Sequence, residues 1–249
     1  MKKIKLVTLF SGYDSQALAM ERLKRDWGGQ FDYELVAWCE IDKDAIKAHD
    51  ALFPQWADRN LGDICKVDPN DVPDCDCLTY SFPCQDISNA SKQKGFEQGS
   101  GSRSSLLWEC EKIIKVKRPK YLLMENVKAL VQKKFMPEFK RWIDTLADLG
   151  YSNYWKVLNA KDYGVAQNRE RVFMVSILGE HQPYNFPQPF ELTKCVEDYM
   201  EPAEEIGEEY FISQDRVTNK VLSDILDQPN VRAEMEKLYH EEWQKVLSK

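Results

Sequence analysis

Ile4-Lys-Leu-Val-Thr-Leu-Phe10, followed at once by Ser11-Gly12, is the stretch of sequence that decides the fold. The apolar run ends too early, and lacks the small-residue cleavage site, for a secretory signal, so it indicates a buried strand. Residues 16–25 then show a helical pattern. A strand, a turn with an early glycine and a helix let backbone amides approach a ligand closely at the start of the helix.

The same alternation of apolar runs and helical patterns continues to about residue 180. Strands are predicted at Ile4–Phe10, Leu35–Glu40, Cys77–Ser81, Tyr121–Glu125, Tyr154–Leu158 and Arg171–Ile177. Helices are predicted at Gln16–Arg25, Asp42–Phe53, Ser105–Lys117 and Pro137–Leu149. This order favours an α/β, Rossmann-like fold, with a mainly parallel sheet covered by helices on both faces. Ligands bind such sheets beyond the carboxyl ends of the strands.

Charge is unevenly distributed along the 249 residues, whose net charge is −7. Residues 190–249 hold 15 acidic and 7 basic side chains, whereas residues 1–189 hold 26 and 27. The first part is therefore nearly neutral and can still present a local basic cleft to a nucleic acid. We predict a catalytic domain over residues 1–189 and an acidic, helical extension over residues 190–249. An apolar stripe at helical spacing over residues 231–247 either docks on the chain's own domain or meets a partner.

The cysteines bear on compartment and metal content. The chain has seven cysteines, an odd number, and their spacing shows no regular disulfide framework, which predicts reduced thiols in a cytoplasmic protein. The sequence has no Cys-x-x-Cys pair, so no metal site is predicted. No apolar run approaches the roughly 20 residues of a membrane helix, so no membrane association is predicted.

Several polar side chains follow predicted strands. Glu40 ends the second strand, where nucleotide-binding folds use an acid to accept hydrogen bonds from ribose hydroxyls; the alternative is a strand-end acid facing water. Asp63 is a weaker candidate, for an adenine amino group. Cys84, in Ser81-Phe-Pro-Cys-Gln85, follows a buried strand, although a lone cysteine is usually a packed core residue. A nucleophilic thiolate needs partial exposure and a field that lowers its pKa.

Two further strand ends carry charge. Glu125 lies at the tip of an apolar strand, where desolvation would raise its pKa toward the range of a general acid; the alternative is an ion pair. Alternation places Arg169 and Arg171 on one side of the last strand. Phosphate or surface contacts are the alternatives for the two arginines.

Taken in order, these segments resemble the motifs of the cytosine-5 DNA methyltransferases, over about residues 4–212. The matching segments are Phe10–Gly12, Glu40, Asp63, Pro83–Gln85, Glu125–Val127 and Gln167–Arg171, and Lys92–Phe96 resembles the start of that family's mobile catalytic loop. The resemblance implies S-adenosyl-L-methionine as the cofactor. The cofactor-binding residues that it implies are Phe10, Ser11, Gly12, Tyr13, Asp14, Glu40, Ile41, Asp63, Ile64 and Pro83.

The resemblance also implies a mechanism on duplex DNA. The Cys84 thiolate attacks carbon 6 of a flipped cytosine, Glu125 contacts ring nitrogen 3 and the exocyclic amine, and Arg171 binds the carbonyl oxygen at position 2. Arg169 assists at the same site. The Gly/Ser-rich segment 86–105 is predicted to close over the base.

Two departures from the family pattern leave alternatives open. Asp14 or Ser15 stands where a second glycine is common, which puts a negative charge near the methionine carboxylate of the cofactor. Residues 208–213 resemble the segment before a target-recognition domain, and only about 35 residues follow, too few for such a domain. We therefore expect a second polypeptide or a second copy to supply recognition. A minimal enzyme and a non-catalytic regulatory subunit are the alternatives. An RNA substrate is less favoured because the Cys-Phe-Thr tripeptide of such enzymes is absent.

Overall fold

A computed structural model describes residues 3–84, 87, 95–97, 102–202, 205 and 207. Within these residues, six strands and four α-helices form, and all ten were predicted, with ends shifted by up to three residues. The strands are β1 (Ile4–Leu9), β2 (Tyr33–Cys39), β3 (Cys77–Tyr80), β4 (Tyr121–Val127), β5 (Tyr151–Asn159) and β6 (Glu170–Leu178). The α-helices are α1 (Ser15–Asp26), α2 (Lys43–Leu52), α3 (Leu107–Lys117) and α4 (Met136–Asp148).

The strands form one sheet in the order β2-β1-β3-β4-β6-β5. β1 is parallel to β2 and β3, and β3 is parallel to β4. β6 is antiparallel to both β4 and β5, so it alone among the described strands runs against the others. The predicted mainly parallel, Rossmann-like sheet is confirmed. The start of β6 therefore meets the carboxyl ends of β1 to β4 at the same edge.

The sheet is buried on both faces because β1 is apolar on both of its sides. Leu6 packs in a cluster with Trp38 and the residues of α1 and α2. Val7 and Leu9 point the other way, into a larger cluster that holds Trp142 and the apolar side chains of α3 and α4. Full burial of a large apolar side chain contributes about 1.5–3 kcal/mol, so these two layers hold the sheet between the helices.

Indole groups of the larger cluster connect the core to the end of β3 and to the segment that follows it. Trp142 Nε1 donates to the hydroxyl of Tyr80 at 3.1 Å, and Trp108 Nε1 donates to the carbonyl of Phe96 at 2.9 Å. Both N–H groups are thus satisfied inside the core. Phe96 is fully buried and its ring lies 6.0 Å from that of Phe82, which precedes Cys84 by two residues.

The chain divides into two compact units, residues 1–194 and 195–249. In the second unit the described residues include a short 3-10 turn, Glu197–Tyr199, beside which the backbone N–H of Cys195 donates to Asp198. The predicted helices near residue 229 and over residues 231–247 lie outside the described residues, as do residues 86, 88–94 and 98–101 of the predicted loop. Among the described helices, none is long and apolar enough to cross a membrane.

Candidate active site

The loop after β1 meets the end of β2 through one carboxylate. Gly12 adopts a left-handed backbone conformation (φ 58°) and its N–H donates to Glu40 Oε2 at 2.9 Å. The other oxygen, Glu40 Oε1, accepts from the N–H groups of Ile41 at 2.7 Å and Asp42 at 2.9 Å. Glu40 is therefore held by three backbone donors, and the predicted meeting of Gly12 and Glu40 at one edge is present.

A cavity of about 270 Å³ opens beside this carboxylate, and we call it the β2 cavity. Its walls come from the loops that follow β1, β2 and β3. The residues that line it are Phe10, Cys39, Glu40, Ile41, Gly62, Asp63, Ile64, Ser81, Pro83 and Leu106.

Most of the predicted cofactor residues line the β2 cavity, and four do not. Gly12 reaches it through its bond to Glu40. Ser11 is buried, and its N–H donates to the carbonyl at the end of β2. Tyr13 is half exposed, and the side chain of Asp14 is fully buried at the start of α1, away from the cavity lining. The structure thus places the charge of Asp14 behind the loop rather than in the cavity.

Asn60, which sequence reasoning missed, connects the two acids of the β2 cavity. Its Oδ1 accepts from the N–H of Glu40 at 3.2 Å and from that of Gly62 at 2.9 Å, and its Nδ2 donates to the carbonyl of Glu40 at 3.1 Å. Gly62 precedes Asp63, the second acid. One amide side chain therefore fixes the spacing of Glu40 and Asp63, and no local sequence signal marks it.

Glu125 and Arg171 form an ion pair across the β4–β6 ladder. Val127 pairs with Arg171 in the register, so Glu125 is the diagonal neighbour on the same face. Arg171 Nε lies 3.0 Å from Glu125 Oε1, and both side chains are about three-quarters buried. Arg171 also donates to the carbonyl of Glu170 at 2.8 Å. The guanidinium is thus held on both sides.

A second cavity, of about 320 Å³, lies above this ion pair, and we call it the β4 cavity. Its walls combine a carboxylate and two guanidinium groups with apolar and aromatic side chains, a lining suited to a planar polar ring. The residues that line it are Glu125, Leu158, Asn159, Ala160, Tyr163, Arg169, Arg171, Phe173 and Pro187.

Sequence reasoning identified the charged members of the β4 cavity and missed its apolar walls. Phe173 lies two residues after Arg171, so strand alternation was a usable signal for it. Tyr163 and Pro187 gave no such signal. They are joined by a hydrogen bond of 3.1 Å from the Tyr163 hydroxyl to the Pro187 carbonyl, which only the folded chain shows.

Two opposing effects act on the pKa of the Glu125 carboxyl. Burial raises the pKa of this carboxyl, whereas the positive charges of Arg171 and Arg169 and a hydrogen bond from Ser81 lower it. Burial prevails, and the pKa of Glu125 lies above its ordinary value. A carboxyl whose pKa is raised by burial holds a proton more readily than an exposed one and is better suited to donate it.

Replacing Arg171 with glutamine is expected to raise the pKa of Glu125 further. The substitution removes the largest of the effects that favour the charged carboxylate and leaves its burial in place. A pH titration of the Glu125 carboxyl carbon by NMR measures the change. Lys128→Gln is the control, because Lys128 pairs with Glu170 instead. An unchanged or lowered pKa in the Arg171 variant contradicts this account.

Buried hydrogen bonds hold the turn that leads to Cys84. Asn126 Nδ2 donates to the carbonyl of Phe82 at 3.0 Å, and Ser104 Oγ donates to the carbonyl of Pro83 at 2.6 Å. Both donors belong to buried residues. The two residues before Cys84 are thereby fixed to β4 and to the turn before α3, and Cys84 itself is half-buried.

This turn separates the two cavities. Ser81 and Pro83 line the β2 cavity, and the Ser81 side chain also hydrogen-bonds with Glu125 of the β4 cavity. Gln16 Nε2 donates to Ser81 Oγ at 3.2 Å from α1. Cys84, which follows Pro83, is in the lining of neither cavity. The structure therefore brings Glu125 and the two arginines together and places Cys84 on the adjoining turn.

A family model for C-5 cytosine-specific DNA methylases matches residues 4–248, and the chain belongs to that family. The match extends beyond residue 212, to which the sequence motifs were traced. In particular, the chain is 47% identical over 181 residues to the type II methyltransferase M2.ScrFI of Lactococcus lactis, covering 72% of this chain and 50% of the relative. It is 35% identical over 205 residues to the type II methyltransferase M.HhaI of Haemophilus parahaemolyticus, covering 82% and 58%.

The chain thus spans about half the length of the curated relatives it matches. Among solved structures, the Entamoeba histolytica methyltransferase EhMeth is similar, with a TM-score of 0.70, 16% identity, and coverage of 89% of this chain and 67% of that one. A Spodoptera frugiperda DNMT2 mutant gives a TM-score of 0.62 at 19% identity, covering 85% and 63%. These two likenesses concern the fold alone.

Proposed function

We propose that this chain is a DNA (cytosine-5) methyltransferase, which transfers a methyl group from S-adenosyl-L-methionine to carbon 5 of a flipped cytosine through an adduct on Cys84. One observation carries the proposal: the turn from Ser81 to Cys84 lies between two cavities, one suited to the cofactor and one to the base. Ser81 lines the β2 cavity and hydrogen-bonds with Glu125 of the β4 cavity. A nucleophile on that turn adjoins both reactants.

The β2 cavity has side chains that fit the cofactor. It offers two carboxylates, Glu40 and Asp63, for hydroxyl and amino groups, and apolar surface from Phe10, Ile41 and Ile64 for a purine ring. Gly12 brings a backbone amide to the same place. When bound, S-adenosyl-L-methionine supplies an electrophilic methyl group on its sulfonium.

Cys84 activates the base by covalent addition. Its thiolate forms a bond to carbon 6, and the ring electrons move toward carbon 5 while nitrogen 3 takes a proton. Carbon 5 is then nucleophilic enough to accept the methyl group. Water then takes the proton from carbon 5, the thiolate is expelled, nitrogen 3 gives its proton back to Glu125, and the aromatic ring is restored.

Glu125 and the arginines stabilise the charge that develops on the ring. The raised pKa of Glu125 suits a carboxyl that contacts nitrogen 3 and supplies its proton. In this proposal Arg171, which Glu125 and the carbonyl of Glu170 hold in position, binds the oxygen at position 2. Arg169 adds a second positive charge to the β4 cavity. Preorganised charges of this kind are commonly the largest contribution to catalysis.

Methylation of unmethylated bacterial genomic DNA by the purified full chain tests the function. With S-adenosyl-L-methionine present, 5-methylcytosine is expected in the DNA hydrolysate by mass spectrometry, and it should be absent when the cofactor is left out. A parallel reaction with transfer RNA should give no product. Product in RNA alone would favour an RNA methyltransferase, and product in neither would favour a non-catalytic subunit.

We further propose that residues 1–189 form the catalytic domain, that residues 190–249 extend it, and that sequence selection needs a second polypeptide or a second copy. The nearly balanced charge of residues 1–189 supports this, because DNA affinity depends strongly on phosphate contacts. A second chain would add contacts to base edges, on which sequence selection depends. The relatives named type II methyltransferases support a role in restriction–modification. Sequence-specific turnover by a fraction shown to be strictly monomeric by sedimentation, with no other protein added, would contradict the need for a partner.

A further inference from the structure

A buried carboxylate lies directly behind the loop that borders the β2 cavity, and the proposed chemistry does not use it. Asp14 is fully buried at the start of α1. Its Oδ2 accepts a hydrogen bond from Thr8 Oγ1 at 2.6 Å, and its Oδ1 accepts one from the backbone N–H of Ala17 at 2.9 Å. One side chain thereby ties β1 to the first turn of α1.

His49 of α2 closes the other side of this carboxylate. Its Nε2 lies 3.8 Å from Asp14 Oδ2, and its ring stacks on Trp38 with centroids 3.6 Å apart. The second acidic neighbour of His49 is Asp50, whose Oδ1 lies 3.5 Å from Nδ1. Asp14 is thus in contact with β1, α1 and α2.

The backbone of that loop needs support. Phe10, Gly12 and Asp14 have φ angles of 56°, 58° and 66°, in the left-handed region that residues with a Cβ rarely adopt. Such conformations persist when the surroundings fix them. Phe10 lines the β2 cavity and Gly12 donates to Glu40, so a shift of the loop would disturb both contacts.

We propose that Asp14 is a positioning residue for cofactor binding, whose buried carboxylate holds the loop from Phe10 to Asp14 so that Phe10 and Glu40 face the β2 cavity. Glycine would adopt this backbone conformation freely because it lacks a Cβ. Here the hydrogen bonds that Thr8 and Ala17 donate to the Asp14 carboxylate hold the loop in this conformation instead. The inference rests on the proposed function, since it takes S-adenosyl-L-methionine as the ligand of that cavity.

Asp14→Ala in the full chain removes both hydrogen bonds and leaves a Cβ in the left-handed conformation. The Kd for S-adenosyl-L-methionine, by titration calorimetry, is expected to rise about tenfold. In methylation assays the KM for the cofactor should rise with it, while kcat at saturating cofactor stays within about twofold. A merely structural role would lower the active fraction, and hence kcat, without changing the KM.

Asp14→Asn is the conservative variant. Asparagine tolerates the left-handed region and its amide oxygen can accept from Ala17, so cofactor affinity should return to within about threefold of the wild type. Asp26→Ala is the matched control, because it removes an exposed carboxylate from the other end of α1. That variant should bind as the wild type does.

Thr8→Val tests the same arrangement if the alanine variant does not fold. It deletes only the hydroxyl that donates to Asp14 and keeps the shape of the side chain, and a Kd increase of about threefold is expected. Wild-type affinity in either Asp14→Ala or Thr8→Val would overturn the proposal, as would an equal loss of affinity in Asp14→Asn and Asp14→Ala.

Amide hydrogen exchange of the ligand-free chain separates this inference from the proposed function. Peptides covering residues 10–17 should exchange faster in Asp14→Ala than in the wild type. The N–H of Ala17 loses its acceptor, and the N–H of Gly12 is no longer held against Glu40 once the loop loosens. Unchanged exchange there would overturn the positioning role even if no cofactor bound. A wild-type chain that shows this protection but binds no S-adenosyl-L-methionine would contradict the proposed function instead.

Discussion

Replacing Cys84 with serine is expected to abolish the covalent adduct that the wild-type chain, supplied with S-adenosyl-L-methionine, forms with duplex DNA containing 5-fluorocytosine. Fluorine at carbon 5 leaves no proton to remove, so the final elimination cannot occur and the sulfur stays bonded to carbon 6. A hydroxyl is far less ionised than a thiol at neutral pH and adds poorly. Intact-protein mass spectrometry should show the wild type shifted by the mass of the methylated DNA strand, with the bond mapped to Cys84 by digestion.

The other cysteines provide the control. Cys195 is exposed and free, so Cys195→Ser should form the adduct at the wild-type rate. Burial raises the pKa of the Cys39 thiol to about 12 and that of the Cys110 thiol well above its ordinary value. Both thiols are therefore poor nucleophiles. An adduct that persists in Cys84→Ser, or that maps to another cysteine, would refute the assignment.

Glu125→Gln should lower kcat by a factor of about 10² to 10⁴, the usual contribution of a positioned general acid. The amide keeps the size of the side chain and an acceptor for Arg171, but it cannot deliver a proton to nitrogen 3. Affinity for S-adenosyl-L-methionine should not change, because Glu125 does not line the β2 cavity. Single-turnover methylation at saturating DNA and cofactor measures the chemical step.

Glu170→Gln is the matched control for this substitution. Glu170 begins the neighbouring strand β6, and its side chain pairs with Lys128. Both groups are about half exposed, and exposed ion pairs contribute little. Its single-turnover rate should remain close to that of the wild type. A rate for Glu125→Gln within a factor of about three of the wild type would rule out proton donation by this carboxyl.

The fold could be predicted from the sequence because its elements have strong local patterns. Local sequence alone is enough to recognise the apolar runs of β1 and β3 and the helical pattern of α1. The sites at the strand ends followed from the rule that parallel strands bring their carboxyl ends to one edge. The direction of β6 did not follow, because nothing local distinguishes a parallel from an antiparallel neighbour.

The supporting side chains could not be predicted because their roles depend on distant partners. Asn60 acts on the backbone of Glu40, 20 residues away, and Ser104 acts on Pro83, 21 residues away. The family resemblance assigned Asp14 to the cofactor site because Asp14 lies in the loop that contains Gly12, where a second glycine is common. In the structure its buried carboxylate accepts a hydrogen bond from Thr8. Only the packing of α1 on β1 reveals this contact.

The pairing of Glu125 with Arg171 depends on the register of β6 as much as on the identity of either residue. Side chains alternate between the two faces of a sheet, so moving β6 by a single residue along β4 would carry Arg171 to the opposite side. A one-residue deletion within that strand could therefore discard the guanidinium while leaving every functional residue present in the gene. Differences in length between related chains should therefore fall outside this ladder. Sequence alignments of this region should accordingly place no gap between Glu170 and Leu178.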